Sequence, residues 1–96
     1  MIIKGTHGPQ KGRTGYDLNG FGFDLQHFAV RETTPDNPFV PHEHENKELW
    51  YIISGSGFLQ IGPNEEQVSC GDLIRIDPWM RHGLRTNEKI NWICLG

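Results

Sequence analysis

The chain has 96 residues, 35% of them hydrophobic, and carries a net charge of −3 at pH 7. This length suffices for one small domain with one core, and the slightly acidic balance excludes the basic surface that nucleic acid or an anionic membrane would require. No apolar run approaches the roughly 20 residues of a membrane span, and the N-terminal residues lack the apolar segment of a signal peptide.

The first residues are rich in glycine, a residue that favours turns over packed elements. Six of the 12 glycines of the chain fall between positions 4 and 22. Such a segment buries little surface, so we expect residues 1–20 to form an N-terminal arm and residues 21–96 to form the folded domain.

The rest of the chain is predicted to form short strands separated by turns. Residues 21–30 begin with an alternation of apolar side chains that is typical of a half-buried strand. A helix over residues 43–53 is the main alternative, but its apolar residues are contiguous rather than spaced by three and four. Close spacing of strands and turns predicts an all-β sandwich or barrel. The other predicted strands cover 48–54, 58–61, 67–69, 72–76, 82–86 and 90–95.

The segment Leu49–Ile53 is apolar on both faces of its predicted strand. A sheet with one face in water should alternate apolar and polar residues, so the outer face is expected to be covered. Either the N-terminal arm or a second subunit could cover it, and we expect a homodimer.

Histidines and a carboxylate cluster where the apolar part of the chain begins. His42 and His44 are two residues apart and share a face if the segment is extended, as Pro41 favours. Glu48 has the same parity, and His82 follows a strand and a proline turn that could direct it to the same centre. Neutral imidazoles and a carboxylate are good ligands for a divalent transition metal. The alternative is a solvated polar loop.

These residues resemble the two motifs of the cupin family. His42-x-His44, three residues, Glu48, six residues and Gly55 match the first motif in spacing, and Gly71-Asp72, with His82 farther on, matches the second. The resemblance covers roughly residues 39–85. The sequence departs from the family pattern at four positions, among them a tryptophan in place of the usual glycine: Asp36, Asp77, Trp79 and Thr86.

The resemblance implies a single-domain jelly-roll β-barrel, the double-stranded β-helix of cupins, with one metal ion held by His42, His44, Glu48 and His82. The ion would be divalent zinc, nickel, manganese, iron or copper, and an octahedral ion would keep about two positions open for a ligand. An oxygen-rich small molecule, such as a sugar, a keto-acid or a diketone, is the expected ligand.

Three classes of function are compatible with such a site. A metal-dependent dioxygenase, isomerase or decarboxylase is the first, with Glu48 as a possible proton shuttle. A binding or sensing module without catalysis is the second, and a structural metalloprotein is the third. Four residues are candidates for the substrate pocket, although a role in packing or in solvent contact is the alternative for each: His27, Trp50, Trp79 and Arg85.

The two cysteines, Cys70 and Cys94, are far apart and form no CxxC pair. We expect both to be reduced and buried in a cytoplasmic protein, with a disulfide or a metal-ligand role as the alternatives.

Overall fold

The computed structural model describes residues 1–96 and contains ten β-strands and no helix. The strands are β1 (Thr6–His7), β2 (Arg13–Gly15), β3 (Phe28–Thr33), β4 (Phe39–His42), β5 (Glu48–Ser54), β6 (Ser56–Ile61), β7 (Asn64–Ser69), β8 (Leu73–Ile76), β9 (His82–Arg85) and β10 (Ile90–Leu95). No helix is present that could cross a membrane. The prediction of an all-β fold is confirmed, and the helical alternative for residues 43–53 is wrong.

The strands form two antiparallel sheets that enclose the core. The larger sheet has the order β1-β2-β3-β10-β5-β8, and the smaller has the order β4-β9-β6-β7. Neighbours in the sheets are mostly distant in sequence, so the barrel depends on long-range pairing rather than on hairpins alone. The tight connection from β5 to β6 passes the chain from one sheet to the other.

The core lies between the two sheets and is built from alternate residues of each strand. Trp50 and Ile52 of β5 are fully buried, as is Trp92 of the neighbouring β10. The rings of Trp50 and Trp92 lie 4.2 Å apart between centroids. Burial of each such large side chain stabilises the fold by about 1.5–3 kcal/mol, so these strands anchor one wall of the barrel.

The N-terminal region differs from the sequence prediction. The strand expected at residues 21–30 is wrong over most of its length, because residues 20–27 form turns and bends and β3 begins only at Phe28. Gly20 and Gly22 adopt positive φ angles, which interrupt an extended chain. The arm itself contains β1 and β2, and β2 pairs with β3, so the arm extends the larger sheet at its edge.

The outer face of the larger sheet carries an apolar row that the arm does not cover. The cross-strand register places Leu73 opposite Tyr51, Tyr51 opposite Ile93, and Ile93 opposite Val30. Tyr51 is 44% exposed and Leu73 is 69% exposed. Of the two covers that the sequence suggested, the arm is therefore excluded, and the row remains open to a second subunit.

Two backbone positions with positive φ shape turns between strands. Gly55 has a φ of 85° between β5 and β6, and a Cβ there would collide with the backbone oxygen of Lys89. Trp79 has a φ of 62°, the only positive value at a residue other than glycine.

Both cysteines are free thiols, as expected. The expectation that both are buried is confirmed for Cys94 and wrong for Cys70, which is exposed.

Candidate metal centre

The candidate ligands meet at one end of the barrel, where the two sheets face each other. His42 is the last residue of β4, and His82, the first residue of β9, lies directly opposite it in the register. Glu48 is the first residue of β5 in the other sheet. His44 lies in the short connection from β4 to β5, so the chain between the sheets supplies the fourth group.

The three imidazoles converge on one small volume. One ring nitrogen of each of His42, His44 and His82 lies within 4.8 Å of the same atoms of the other two. The ring centroids are 4.5 Å apart for His42 and His82, and 4.8 Å apart for His44 and His82. Nitrogens this close, on three rings from different segments, can ligate one ion together.

Backbone carbonyls fix the orientation of two of these rings. The Nδ1–H of His82 donates to the carbonyl of Met80 at 2.7 Å, and the Nδ1–H of His42 donates to the carbonyl of Val40 at 2.9 Å. A neutral ring held in this way keeps its Nε2 lone pair free for a metal, as in most metal-ligating histidines.

His82 shows the clearest fit to a metal. Its side chain is fully buried, yet its Nε2 has no hydrogen-bond partner in the protein. An unpartnered buried polar atom costs about 1–3 kcal/mol, and a bound cation would remove that cost. Burial lowers the pKa of His82 from its usual 6.5, with a further contribution from His42 and His44, so this imidazole is neutral at neutral pH.

The Glu48 carboxylate lies between the histidines and the core. Its Oε2 is 3.5 Å from Nε2 of His44, and its Oε1 is 3.9 Å from Nε2 of His82. Oε1 also accepts a hydrogen bond of 3.1 Å from the indole Nε1–H of Trp50. The carboxylate is thus held by a core residue and can serve as the fourth donor.

His27 contacts the same carboxylate oxygen as His44. Its Nε2 lies 3.1 Å from Oε2 of Glu48 and 3.3 Å from Sγ of Cys94. Burial, together with the nearby charge of Glu48, raises the pKa of Cys94 to about 12, so the thiol is protonated at neutral pH. His27 precedes β3 and does not lie on the strand that the sequence suggested.

The other proposed pocket residues lie away from the histidine cluster or behind it. Trp50 is fully buried and forms the wall behind Glu48. Trp79 is 64% exposed, and its contribution is a backbone one, since its N–H donates to the carbonyl of His44 at 2.7 Å. Arg85 pairs with Glu65 at 2.7 Å and borders a separate cleft of about 170 Å³.

Arg31 is a site residue that the sequence reasoning missed. It lies on β3 opposite Trp92 and so points into the barrel. Its guanidinium carbon is 4.7 Å from the ring centre of Phe39, and its Nε is buried without a partner. Burial lowers its pKa from the usual 12.5, but an arginine remains charged at neutral pH. The predicted strand ended one residue before Arg31, which hid its inward position.

The family model described as "Cupin domain" matches residues 25–96. This chain belongs to the cupin family. The match covers the region that holds the donor groups, and the resemblance noted from the two motifs is confirmed. The jelly-roll architecture expected of a cupin agrees with the two packed sheets.

Two curated proteins are similar to this cupin in sequence. It is 28% identical over 91 residues to the acireductone dioxygenase of Aquifex aeolicus, which covers 81% of this chain and 49% of that protein. It is 30% identical over 66 residues to the HTH-type transcriptional activator RhaR of Cronobacter sakazakii, which covers 69% of this chain and 23% of that protein. The cupin thus spans half or less of the length of these relatives.

A solved structure with the same fold comes from Methanocaldococcus jannaschii. This RmlC-like cupin with a double-stranded β-helix superposes with a TM-score of 0.76 at 6% identity, over 99% of this chain and 87% of that one. At so low an identity the likeness shows the fold, and the fold is the double-stranded β-helix expected from the sequence.

Proposed function

We propose that this cupin holds one divalent transition metal ion with His42, His44, Glu48 and His82, and binds an oxygen-rich small molecule next to it. The observation that carries the proposal is the convergence of three imidazoles on a buried, unpartnered Nε2 of His82. A closed zinc site of sulfur ligands is a different arrangement, because these donors are nitrogen and oxygen. The set suits zinc, nickel, manganese, iron and copper alike.

When bound, the ion would supply Lewis acidity to the oxygens of the ligand. The protein's own groups prepare for that role. Backbone carbonyls orient His42 and His82, and the Trp50 indole orients one oxygen of Glu48. These contacts orient three of the four donor side chains before any ligand arrives, which lowers the cost of binding.

A cleft beside His42 is the proposed ligand site, and Arg31 is its proposed anion-binding group. The cleft has a volume of about 520 Å³, and its lining includes Arg31, Phe39 and His42. The guanidinium is charged and stacked on Phe39, and part of its hydrogen-bonding capacity is unused. Such a fork can pair with a carboxylate or an enediolate in two hydrogen bonds. We therefore expect an anionic ligand, in preference to a neutral sugar.

Among the possible reactions we propose a dioxygenase first. The similarity to an acireductone dioxygenase supports this class, although that protein is about twice as long. Isomerase and decarboxylase activities remain outcomes of the same assay. In any of these, Glu48 could accept a proton from the ligand, since its carboxylate is only 10% exposed and faces the histidine cluster.

Metal analysis of the purified protein tests the site. We expect equal metal content in the wild type and in His7→Ala, since His7 is exposed and lies on the edge strand β1, four strands away from β5 in the sheet. His82→Ala should contain about one equivalent less. Equal metal content in His82→Ala and His7→Ala would overturn the proposed ligand set.

Oxygen uptake with a panel of keto-acids, diketones and sugars tests the activity. Uptake that disappears in both His82→Ala and Arg31→Ala would support a dioxygenase with an anionic substrate. Arg31→Lys keeps the charge but not the fork, so it should recover binding only in part. Uptake that is unchanged in Arg31→Ala would contradict the assigned role of this residue.

A ligand-sensing module is the second candidate. The similarity to a transcriptional activator over 69% of the chain favours it. A ligand that raises the melting temperature without any turnover would favour sensing over catalysis, because binding to the native state alone stabilises it. If the bound metal increases the affinity for none of the tested ligands, a structural role is indicated instead.

We also propose that the cupin forms a homodimer in the cytoplasm. The second copy would cover the apolar row of Leu73, Tyr51, Ile93 and Val30, which crosses four strands without charged residues. The exposed free thiol of Cys70 is compatible with a reducing compartment. Light scattering should give a dimer mass for the wild type and for Gln67→Glu on the other sheet, and a monomer mass for Tyr51→Glu. A monomeric wild type at micromolar concentration would contradict the dimer.

A further inference from the structure

Glu48 adjoins two groups of potential metal donors. The first consists of the three imidazoles of the proposed centre, and the second includes two residues that the proposed centre does not use. The second group consists of His27, Cys94 and Glu48, whose donor atoms all lie within 4.8 Å of one another. The two contacts of His27 Nε2, 3.1 Å to Glu48 and 3.3 Å to Cys94 Sγ, are given by different segments of the chain. The group is therefore a product of the fold and not of one local turn.

These distances agree with the spacing of ligands around a single ion. Donors bound to zinc at about 2.0–2.1 Å for nitrogen or oxygen and about 2.3 Å for sulfur lie roughly 3.0–3.6 Å from one another. The two contacts of His27 fall within that range. Cys94 and Glu48 have donor atoms within 4.8 Å of each other, so two of the three pairs already have the spacing of zinc ligands.

The surroundings of the group also suit a metal site. Cys94 is 4% exposed, which protects the sulfur from oxidants, while the side chain of His27 is 25% exposed and provides a path from solvent. The thiol is neutral without a metal. Formation of the sulfur–metal bond would break the S–H bond and release one proton to water.

We propose that His27, Cys94 and Glu48 form a second metal site, which binds a thiophilic divalent ion such as zinc. Its thiolate makes this site softer than the nitrogen and oxygen set of the histidine centre, so the two sites prefer different metals. Glu48 is shared, because its Oε2 lies 3.1 Å from Nε2 of His27 and 3.5 Å from Nε2 of His44. The proposal goes beyond the proposed function, because the histidine cluster could operate without it.

Cobalt(II) titration of the metal-free protein tests this site, because a cobalt–thiolate bond gives a charge-transfer band in the near ultraviolet. The titration uses Cys70→Ser as the background. The chain has two cysteines, so any such band must then come from Cys94. We expect the band in the background protein, and its loss in Cys94→Ser and in Cys94→Ala. Two variants are used because either replacement could disturb the core, and thermal unfolding checks that at least one is folded.

The other donors are tested in the same background. His27→Ala should weaken the cobalt affinity of the band by about tenfold or more, since even residues outside the ligand set contribute that much. The double variant His42→Ala/His82→Ala should keep the band. No band in the Cys70→Ser protein would overturn the site, as would an unchanged affinity in His27→Ala. Loss of the band in the double variant would assign Cys94 to the histidine centre and overturn a separate second site.

These outcomes are independent of the first proposal. Failure of the histidine centre would appear as wild-type metal content in His82→Ala, whereas failure of the second site would appear as a missing thiolate band. Each proposal can therefore fail alone.

Discussion

Trp79 occupies a position at which the cupin motif usually has glycine, and its backbone is in a conformation that favours glycine. Replacing Trp79 therefore tests how much strain this loop contains. Its φ of 62° lies in the left-handed region. For residues other than glycine this conformation costs roughly 1–2 kcal/mol. The strain is located next to the candidate metal centre, because the N–H of Trp79 donates to the carbonyl of His44.

The comparison of Trp79→Gly with Trp79→Ala isolates this strain, because both variants remove the same indole. The indole is 64% exposed, so its removal costs the two variants little and to the same extent. The glycine variant should be more stable than the alanine variant by about 1 kcal/mol. That difference corresponds to about 4–8 °C in the melting temperature of a domain of this size. Chemical denaturation and thermal unfolding of the metal-free protein both measure it.

Arg81, an exposed residue of the same loop with no positive φ, provides the matched control. Arg81→Gly should be less stable than Arg81→Ala, since glycine loses more conformational entropy on folding. The opposite signs at the two positions are the expected result. A Trp79→Gly variant no more stable than Trp79→Ala would refute the strain.

Two further predictions follow from the buried groups. Burial lowers the pKa of His82 from 6.5, so the folded, metal-free protein binds fewer protons there than the unfolded chain does. Its stability should be level above about pH 6.5 and fall as the pH decreases toward the lowered folded pKa, by at most about 1.4 kcal/mol per pH unit. Urea unfolding of the wild type and of His82→Leu checks this, and an equal pH dependence in both would contradict it. The second concerns the thiols: iodoacetamide should modify only Cys70 in the native, metal-free protein, because Cys94 is buried with a pKa of about 12. Mass spectrometry should show both cysteines modified after denaturation. Modification of Cys94 in the native protein would contradict the prediction, because it would show that the residues around Cys94 admit the reagent.

The sequence was sufficient for the features that depend on local pattern. The dense apolar segment Glu48–Ser54 predicted β5 with its bounds, because aromatic and β-branched residues on both parities specify a strand with a buried face. The spacing of His42, His44 and Glu48 indicated the donor set, since an extended chain places alternate side chains together. The alternation at Phe21 and Phe23 misled, because Phe23 is 68% exposed and the two rings pack on each other 5.2 Å apart in a turn.

Sequence alone determined the family, the all-β class and the candidate residues of the first centre, because each of these is carried by spacing within short segments. Only the tertiary structure decided which distant side chains join them. His27 and Cys94 are 67 positions apart, and they meet because β10 pairs with both β3 and β5. Arg31 enters the barrel because of the same pairing register, which places it opposite Trp92. Periodicity gives the faces of a strand, but the pairing of distant strands is fixed by the burial of the whole core.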